Sequence, residues 1–322
     1  MNILVFGKDG QLGKAFQNVF EAQKLSALHN IQYVGRAQCD LSDEQALTVF
    51  LQQAKPKLII NAAAYTTVDQ AETEVELAYA INAKAPAIMA RYALEEGVTL
   101  LHYSTDYVFD GSKATPYLES DVRNPLGIYG KSKAAGEVAI ESAFRGNRKP
   151  QAQFAILRTS WVYGDGENFI RTILRLAKER ETLKVIANQY GVPTSALWLA
   201  SISLALVLDE NHQLRFFPSG IYHAVPQGET TWHALACYTV QVAIDAGAAL
   251  KLRPDQINAI PAFEYPLPAP RPMNSRMARS TLDTLMNQIL KGNDVTKLQQ
   301  WQQSWQDPVA YYVQDLVLHK GI

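Results

Sequence analysis

Cysteine is scarce in this chain: only Cys39 and Cys237 among 322 residues, far apart and in no spacing that suits a metal or a redox pair. That excludes a disulfide scaffold and a zinc ribbon. An excess of charge of one sign is also missing, since 30 Lys and Arg face 31 Asp and Glu, for a net charge of −1. Nucleic acid and anionic membranes find no general attraction there, so neither is expected as a partner. Long apolar runs are absent too. The most apolar window, Ala196 to Leu208, is too short to span a bilayer and is interrupted by Ser201 and Ser203. Met1 to Phe6 lacks the basic region, apolar run and cleavage site of a signal peptide, and no internal repeat or low-complexity tract occurs. A soluble, cytoplasmic protein with reduced thiols is the expectation.

What remains is ordinary globular composition, 48% hydrophobic and 19% charged, at a length where one core tends to become two. The chain opens as strand, glycine turn, helix: Asn2 to Phe6 is a short apolar run, and Gly7-Lys8-Asp9-Gly10-Gln11-Leu12-Gly13 leads into an apolar-periodic segment. Glycines at positions 7, 10 and 13 permit a tight turn, close approach of a pyrophosphate and close helix packing, and the free amides of the helix start favour an anion. A second strand, Ile31 to Val34, ends at Gly35-Arg36, where an arginine suits a 2′-phosphate. Arg36 therefore leans toward NADPH, although an exposed arginine after a strand is more often simply solvated.

Asp40-Leu41 precedes a helix on Leu47, Phe50 and Leu51. A third strand, Lys57 to Ile60, runs into Asn61-Ala62-Ala63-Ala64-Tyr65, whose small residues leave room at a strand end. A helix over Val75–Glu95 and a strand over Val98–Tyr103 continue the alternation, which implies a doubly wound parallel sheet of Rossmann-like α/β type. That strand delivers Ser104-Thr105-Asp106 to its carboxyl end, where open α/β sheets bind ligands. Thr105 is a candidate hydroxyl for a substrate oxygen; these three residues also read as ordinary turn formers.

After Asn124-Pro125 comes a helix with Tyr129 and Lys133 four residues apart, a turn of roughly 400° that puts both on one face. Lys131 points elsewhere. A phenol beside a fixed ammonium becomes a better proton donor than its ordinary pKa allows. Ala135, Val138, Ala139 and Ser142 offer that helix a small-residue packing face.

Strand Phe154–Arg158 ends the steady alternation. Asn168 opens a helix with an Ile170, Ile173, Leu174 and Ala177 stripe; a short strand (Leu183 to Ile186), a buried helix (Ala196 to Leu208) and a late strand of the main sheet (Gly220 to Val225) follow. From Thr230 the chain reads as a helix over Trp232–Ala246, a proline-rich loop, and helices near Thr281–Leu290 and Leu298–Gln306. Residues 1–165 and 195–225 are thus expected to form a dinucleotide-binding domain, and 166–194 and 226–322 a smaller, mostly helical substrate lobe. Arg271 and Arg276 on the loop suit a diphosphate, or are a solvated basic pair.

Through Gly7-x-x-Gly10-x-x-Gly13, Ser104-Thr105 and Tyr129-x-x-x-Lys133, in that order, the sequence resembles the extended short-chain dehydrogenase/reductase family. The resemblance extends through Gln189-Tyr190-Gly191-Val192-Pro193-Thr194 and Arg271-Pro272-x-Asn274-Ser275-Arg276, and so spans most of the chain. It implies reduction of a ketone on a dTDP-sugar by hydride from NADPH or NADH. Tyr129 would be the proton donor, Lys133 its electrostatic support and Thr105 a hydrogen-bond donor to the substrate. By the same resemblance Gly10, Gln11, Leu12, Asp40, Leu41, Ala63, Ala64, Tyr65 and Tyr103 line the cofactor site, beside Gly7, Gly13 and Arg36. Asp106 and Trp161, with Asn168 and Arg271, would contact the nucleotide-sugar.

Relatives that use Mg²⁺ at a dimer contact carry an acid in the first helix, where this chain has Lys14-Ala15-Phe16. No metal is expected, since a lysine cannot serve as that oxygen ligand; the chain is expected to be a monomer or weak homodimer. Two other readings stay open. One is an epimerase or dehydratase of the same family, with dehydration disfavoured because Tyr107 rather than glutamate follows Asp106. The other is a non-catalytic regulatory subunit resembling that of methionine adenosyltransferase.

Overall fold

The computed structural model describes residues 1–290, 299 and 301–319. Its first half alternates strand and helix: β1 (Asn2–Phe6), α1 (Gln11–Ala22), β2 (Asn30–Val34), α2 (Glu44–Ala54), β3 (Leu58–Asn61), α3 (Val75–Tyr79), α4 (Ala85–Glu96), β4 (Thr99–Thr105), α5 (Ile128–Phe144) and β5 (Gln153–Thr159). Then come β6 (Val162–Tyr163), α6 (Phe169–Glu179), β7 (Leu183–Ile186), β8 (Tyr190–Gly191), β9 (Thr194–Ser195), α7 (Ala196–Val207) and β10 (Gly220–His223). The chain finishes with β11 (Thr230–Thr231), α8 (Trp232–Asp245), β12 (Ile257–Ile260), α9 (Ser280–Leu290) and α10 (Gln306–His319).

Six strands form one parallel sheet in the order β2-β1-β3-β4-β5-β10. The sheet is covered on both faces, which is why β3, β4 and β5 are buried along their whole length instead of alternating. On one face Leu12, Phe16 and Phe20 of α1 join α7 against Ile3, Val5, Leu101 and Tyr103; on the other, α2, α4 and α5 close on Leu4, Phe6, Leu100 and Ile156. The fold is therefore the doubly wound, Rossmann-like sheet that the alternation predicts. Because β2 and β3 lie on opposite sides of β1, the loops leaving β1 and β3 diverge and open a crevice at their carboxyl ends.

Three local outcomes differ from the sequence pattern. The expected helix over Val75–Glu95 is interrupted by a π turn at Ala80–Lys84. Pro86 has no N–H to give the preceding turn, and buried Asn82 there bonds Tyr65 and Ser132. Second, α5 does not pack through Ala135, Val138 and Ser142. Its buried face carries Lys133, Ala134, Gly136, Glu137 and Ile140, and Val138 is exposed. Buried charge is possible there because Glu137 holds Arg158 of β5 at 2.7 Å, so polar residues occupy a face that apolarity alone does not mark. Third, the C-terminal lobe is less purely helical than expected, with two-stranded pairings of β7 with β12, β8 with β11 and β6 with β9. Part of the expected helix at 298–306 (Leu298 and Gln300) lies outside the described residues. Although late in the chain, α9 and Trp301 join the main sheet's core through Leu282, Met286 and Leu290. Among the described residues no helix is long and apolar enough to cross a membrane.

Candidate active site

A cleft of about 530 Å³ lies at the carboxyl ends of β1 to β5. Gly7, Gly10, Gln11, Leu12, Arg36, Asp40, Leu41, Ala63, Ala64, Tyr65, Tyr103, Tyr129 and Lys133 all line it. The glycine turn is built for steric reasons. Gly7 sits at φ +85, and a Cβ on Gly13 would lie 2.0 Å from the Gly7 carbonyl oxygen. A Cβ on Gly10 would meet nothing closer than 3.4 Å, so the fold itself does not demand glycine there. The start of α1 has neither a side-chain cap nor an acidic residue in its first turn, which leaves its amides to an external acceptor. This suits the pyrophosphate of a dinucleotide. Arg36, at the rim, pairs with Asp40 at 3.1 Å, so two residues expected to meet the cofactor hold each other here.

The helix α5, which carries Tyr129 and Lys133, is placed by two polar clamps. Glu72 accepts from the Ile128 amide at 2.8 Å and caps α5, while Asn82 reaches Ser132 at 3.0 Å, whose hydroxyl donates to the Tyr129 carbonyl at 2.8 Å. The Tyr129 ring stands edge-on to Tyr107 at 5.7 Å. Burial pushes its phenol up to about 12, relieved by the Thr105 hydroxyl and reinforced by the Asp106 carboxylate. Lys133, four residues on, is 2% exposed and donates to the Tyr103 carbonyl at 2.6 Å, with His102 Nε2 at 3.4 Å. Burial pulls the ammonium down to about 8 while Glu137 works the other way. Burial, Thr105 and Asp106, rather than Lys133, govern the phenol in this structure.

Thr105 closes β4 just outside the cleft lining, its hydroxyl donating to Asp106 at 2.9 Å and accepting from the Tyr107 amide at 3.2 Å. Asp106 is buried; desolvation raises it to about 6 despite hydrogen bonds from Ser275 and Thr105, and its Oδ2 has no partner. Trp161 adopts φ 48, a strained backbone for a bulky residue, and stacks on Trp232 at 3.7 Å. It packs with the C-terminal lobe and is not among the residues that line the cleft. Asn168 caps α6, and its amide donates to Gln11 at 3.3 Å and to Tyr312 at 3.0 Å, tying the glycine turn to α10. Arg271 lies apart from the cleft lining, in a bidentate pair with Asp69 at 2.8 and 3.0 Å, and Arg276 pairs with Glu229. Both arginines of the loop are therefore engaged by carboxylates.

Sequence reasoning overlooked Thr159, which lines the cleft with an unpartnered hydroxyl and stands in register with Thr105. The strand-end rule that singles out Thr105 applies to it equally. Asn61 and His102, paired across β3 and β4, were missed as neighbours of Lys133; polar residues inside otherwise apolar strands were the available signal. Among the described residues no group of three His, Cys, Asp or Glu could hold a metal ion, and Lys14 pairs with Asp165 at 3.7 Å.

The RmlD substrate binding domain family model matches residues 1–312. A dTDP-4-dehydrorhamnose reductase of Salmonella typhimurium is 43% identical, over 86% of this chain and 89% of that protein. The crystal structure of a dTDP-4-dehydrorhamnose reductase from Clostridium acetobutylicum superposes with a TM-score of 0.82 at 30% identity, covering 99% of this chain and all of that one. That of a Bacillus anthracis dTDP-4-dehydrorhamnose reductase in complex with NADP gives 0.77 at 29% identity, covering 97% and 98%. With a match that runs almost end to end and relatives this similar, the chain belongs to the RmlD substrate binding domain family.

Proposed function

We propose that this protein reduces the C4 ketone of dTDP-4-dehydro-L-rhamnose to dTDP-L-rhamnose in the biosynthesis of that sugar nucleotide, with NADPH or NADH as the hydride source. The observation that carries this reading is Tyr129, next to Thr105 and opening with Lys133 on the cleft shaped by the glycine turn. The reductase activity by which the relatives are named and the NADP bound to the Bacillus anthracis protein point the same way.

Each residue then has a physical task. Gln11 and Leu12 would present backbone amides to the pyrophosphate; the Gly7 and Gly10 amides are taken by Val34 and Gly7, so those glycines, with Gly13, would shape the turn, and Ala63, Ala64 and Tyr65 would wall the dinucleotide. Arg36 would exchange Asp40 for a 2′-phosphate; Asp40, Leu41 and Tyr103 complete the pocket. A phenol held near 12 keeps its proton at neutral pH, which a general acid must do until negative charge develops on the substrate oxygen. Thr105 would turn its hydroxyl proton from Asp106 to that oxygen, stabilising charge that appears only in the transition state. Lys133 would bind the nicotinamide ribose and steady the phenolate after proton transfer. Asp106, Trp161, Asn168 and Arg271 would hold the nucleotide-sugar, with residues 1–165 and 195–225 serving the cofactor and 166–194 and 226–322 the sugar.

Purified protein should oxidise NADPH or NADH when given dTDP-4-dehydro-L-rhamnose, and Tyr129→Phe should lower the rate about 10³-fold with the fold intact. No turnover with that substrate, or full activity in the variant, would sink the reading. The ratio of rates with the two nicotinamides in Arg36→Ala reports the role of Arg36.

A further inference from the structure

Behind the cleft a buried polar chain runs from β3 through β4 to the catalytic helix. Asn61 and His102 are register partners on adjacent strands, each 1% exposed, with the amide nitrogen of Asn61 and Nδ1 of His102 at 3.0 Å. On the other side of the ring, Nε2 stands 3.4 Å from the Lys133 ammonium. The ammonium has three donors and no acceptor. One donor is taken by the Tyr103 carbonyl at 2.6 Å, so Nε2 can meet a second only as an acceptor, which places the ring proton on Nδ1. An Nδ1–H needs an acceptor in turn. Asn61 Oδ1 is buried without a partner, and the two amide atoms exchange by a half-turn that brings Oδ1 to the ring.

We propose that Asn61 and His102 are positioning residues that hold Lys133 as a cation: Asn61 Oδ1 accepts from His102 Nδ1–H, and His102 Nε2 accepts from the Lys133 ammonium. This inference rests on the reading of Lys133 as part of a reductase site. The chain leaves the third N–H of the ammonium for the cleft, and it fixes the direction in which that N–H points. His102 stays neutral throughout, because burial first and Lys133 second hold its pKa well below the ordinary histidine range. Around Lys133 the charged groups are few: Glu137, on its own helix, is itself held by Arg158 of β5 and by Arg123. His102 faces Lys133 from β4 and Asn61 from β3.

Removing the acceptor leaves a buried cation with one fewer partner, so the ammonium should lose its proton at lower pH. In His102→Leu the alkaline limb of the kcat/KM profile should move down by about one pH unit, a loss of about tenfold on the alkaline side and little change at the acid end. His102→Gln, which offers an amide oxygen at similar reach, should return the limb toward its original position. An unshifted limb in His102→Leu, or failure of His102→Gln to restore it, overturns the proposal. Should the leucine variant not fold, nitrogen-15 NMR of the histidine rings in the wild-type protein decides the matter: the Nδ1–H tautomer supports the chain and the Nε2–H tautomer overturns it. Wild-type turnover in the same assay separates the two levels, since its absence would remove the reductase reading while leaving the tautomer measurement as a test of the chain.

Discussion

Asp106 is a single residue held in the fold at the expense of stability. It is 3% exposed, one oxygen lacks a partner, and burial raises its carboxyl to about 6. An acid whose folded pKa lies above its unfolded value of about 3.9 contributes stability fully only below that value. The contribution disappears as pH rises through about 6. Asp106→Asn removes the titration and keeps an acceptor for Thr105 and Ser275. Urea unfolding at pH 7.5 should therefore find the variant more stable by about 3 kcal/mol, a two-unit shift at 1.36 kcal/mol each, and at pH 4 the gain should vanish. A gain that is equal at both pH values would show that the strain is steric, not electrostatic.

At the scale of elements, the glycine turn and α5 illustrate two kinds of constraint. Gly13 is demanded by packing, because any side chain there would run into the Gly7 carbonyl, whereas Gly10 has ordinary room. Gly13→Ala should accordingly lower stability by about 3 kcal/mol or more in denaturant titrations. Gly10→Ala should change stability by less than about 1 kcal/mol yet weaken NADPH binding, measured by calorimetry, about tenfold or more. Equal effects of the two substitutions on stability would contradict this division. The helix α5 was harder to read. Tyr129 and Lys133 share a face, as their spacing dictates, and Lys131 is exposed while Lys133 is buried. Its packing face nonetheless runs through Glu137 instead of Val138, because Arg158 arrives from β5, a strand that follows it in the chain. No pattern internal to the helix announces a partner that distant.

Over the whole molecule, the proline-rich segment is tied to the connection that follows β3 by Arg271 and Asp69, 202 residues apart in sequence. Asp69 also accepts from the Ala269 amide at 3.0 Å, and the guanidinium lowers the Asp69 carboxyl pKa chiefly through its hydrogen bonds. Phe263, Tyr265 and Leu267 are exposed on the same segment. Since the Asp69 side chain is more than a third exposed, the pair adds little to global stability, about 1 kcal/mol or less. Its effect should be local. Limited proteolysis of Asp69→Ala should cut within 261–271 faster than in the parent, with the thermal midpoint shifted only slightly; unchanged cleavage would show that the prolines alone order the loop.

The sequence by itself determined the doubly wound sheet, the glycine turn and the shared face of Tyr129 and Lys133, because each rests on short-range periodicity and on residue types whose backbone preferences are local. Only the tertiary structure decided what those residues touch. The fold gives the Lys133 ammonium to the Tyr103 carbonyl beside His102, and burial with the neighbouring carboxylate keeps the Tyr129 phenol near 12. Arg271, a free cation on the page, meets Asp69 only when two loops come together. Partners of this kind are set by strand order and by desolvation, which are properties of the assembled sheet and not of any one segment.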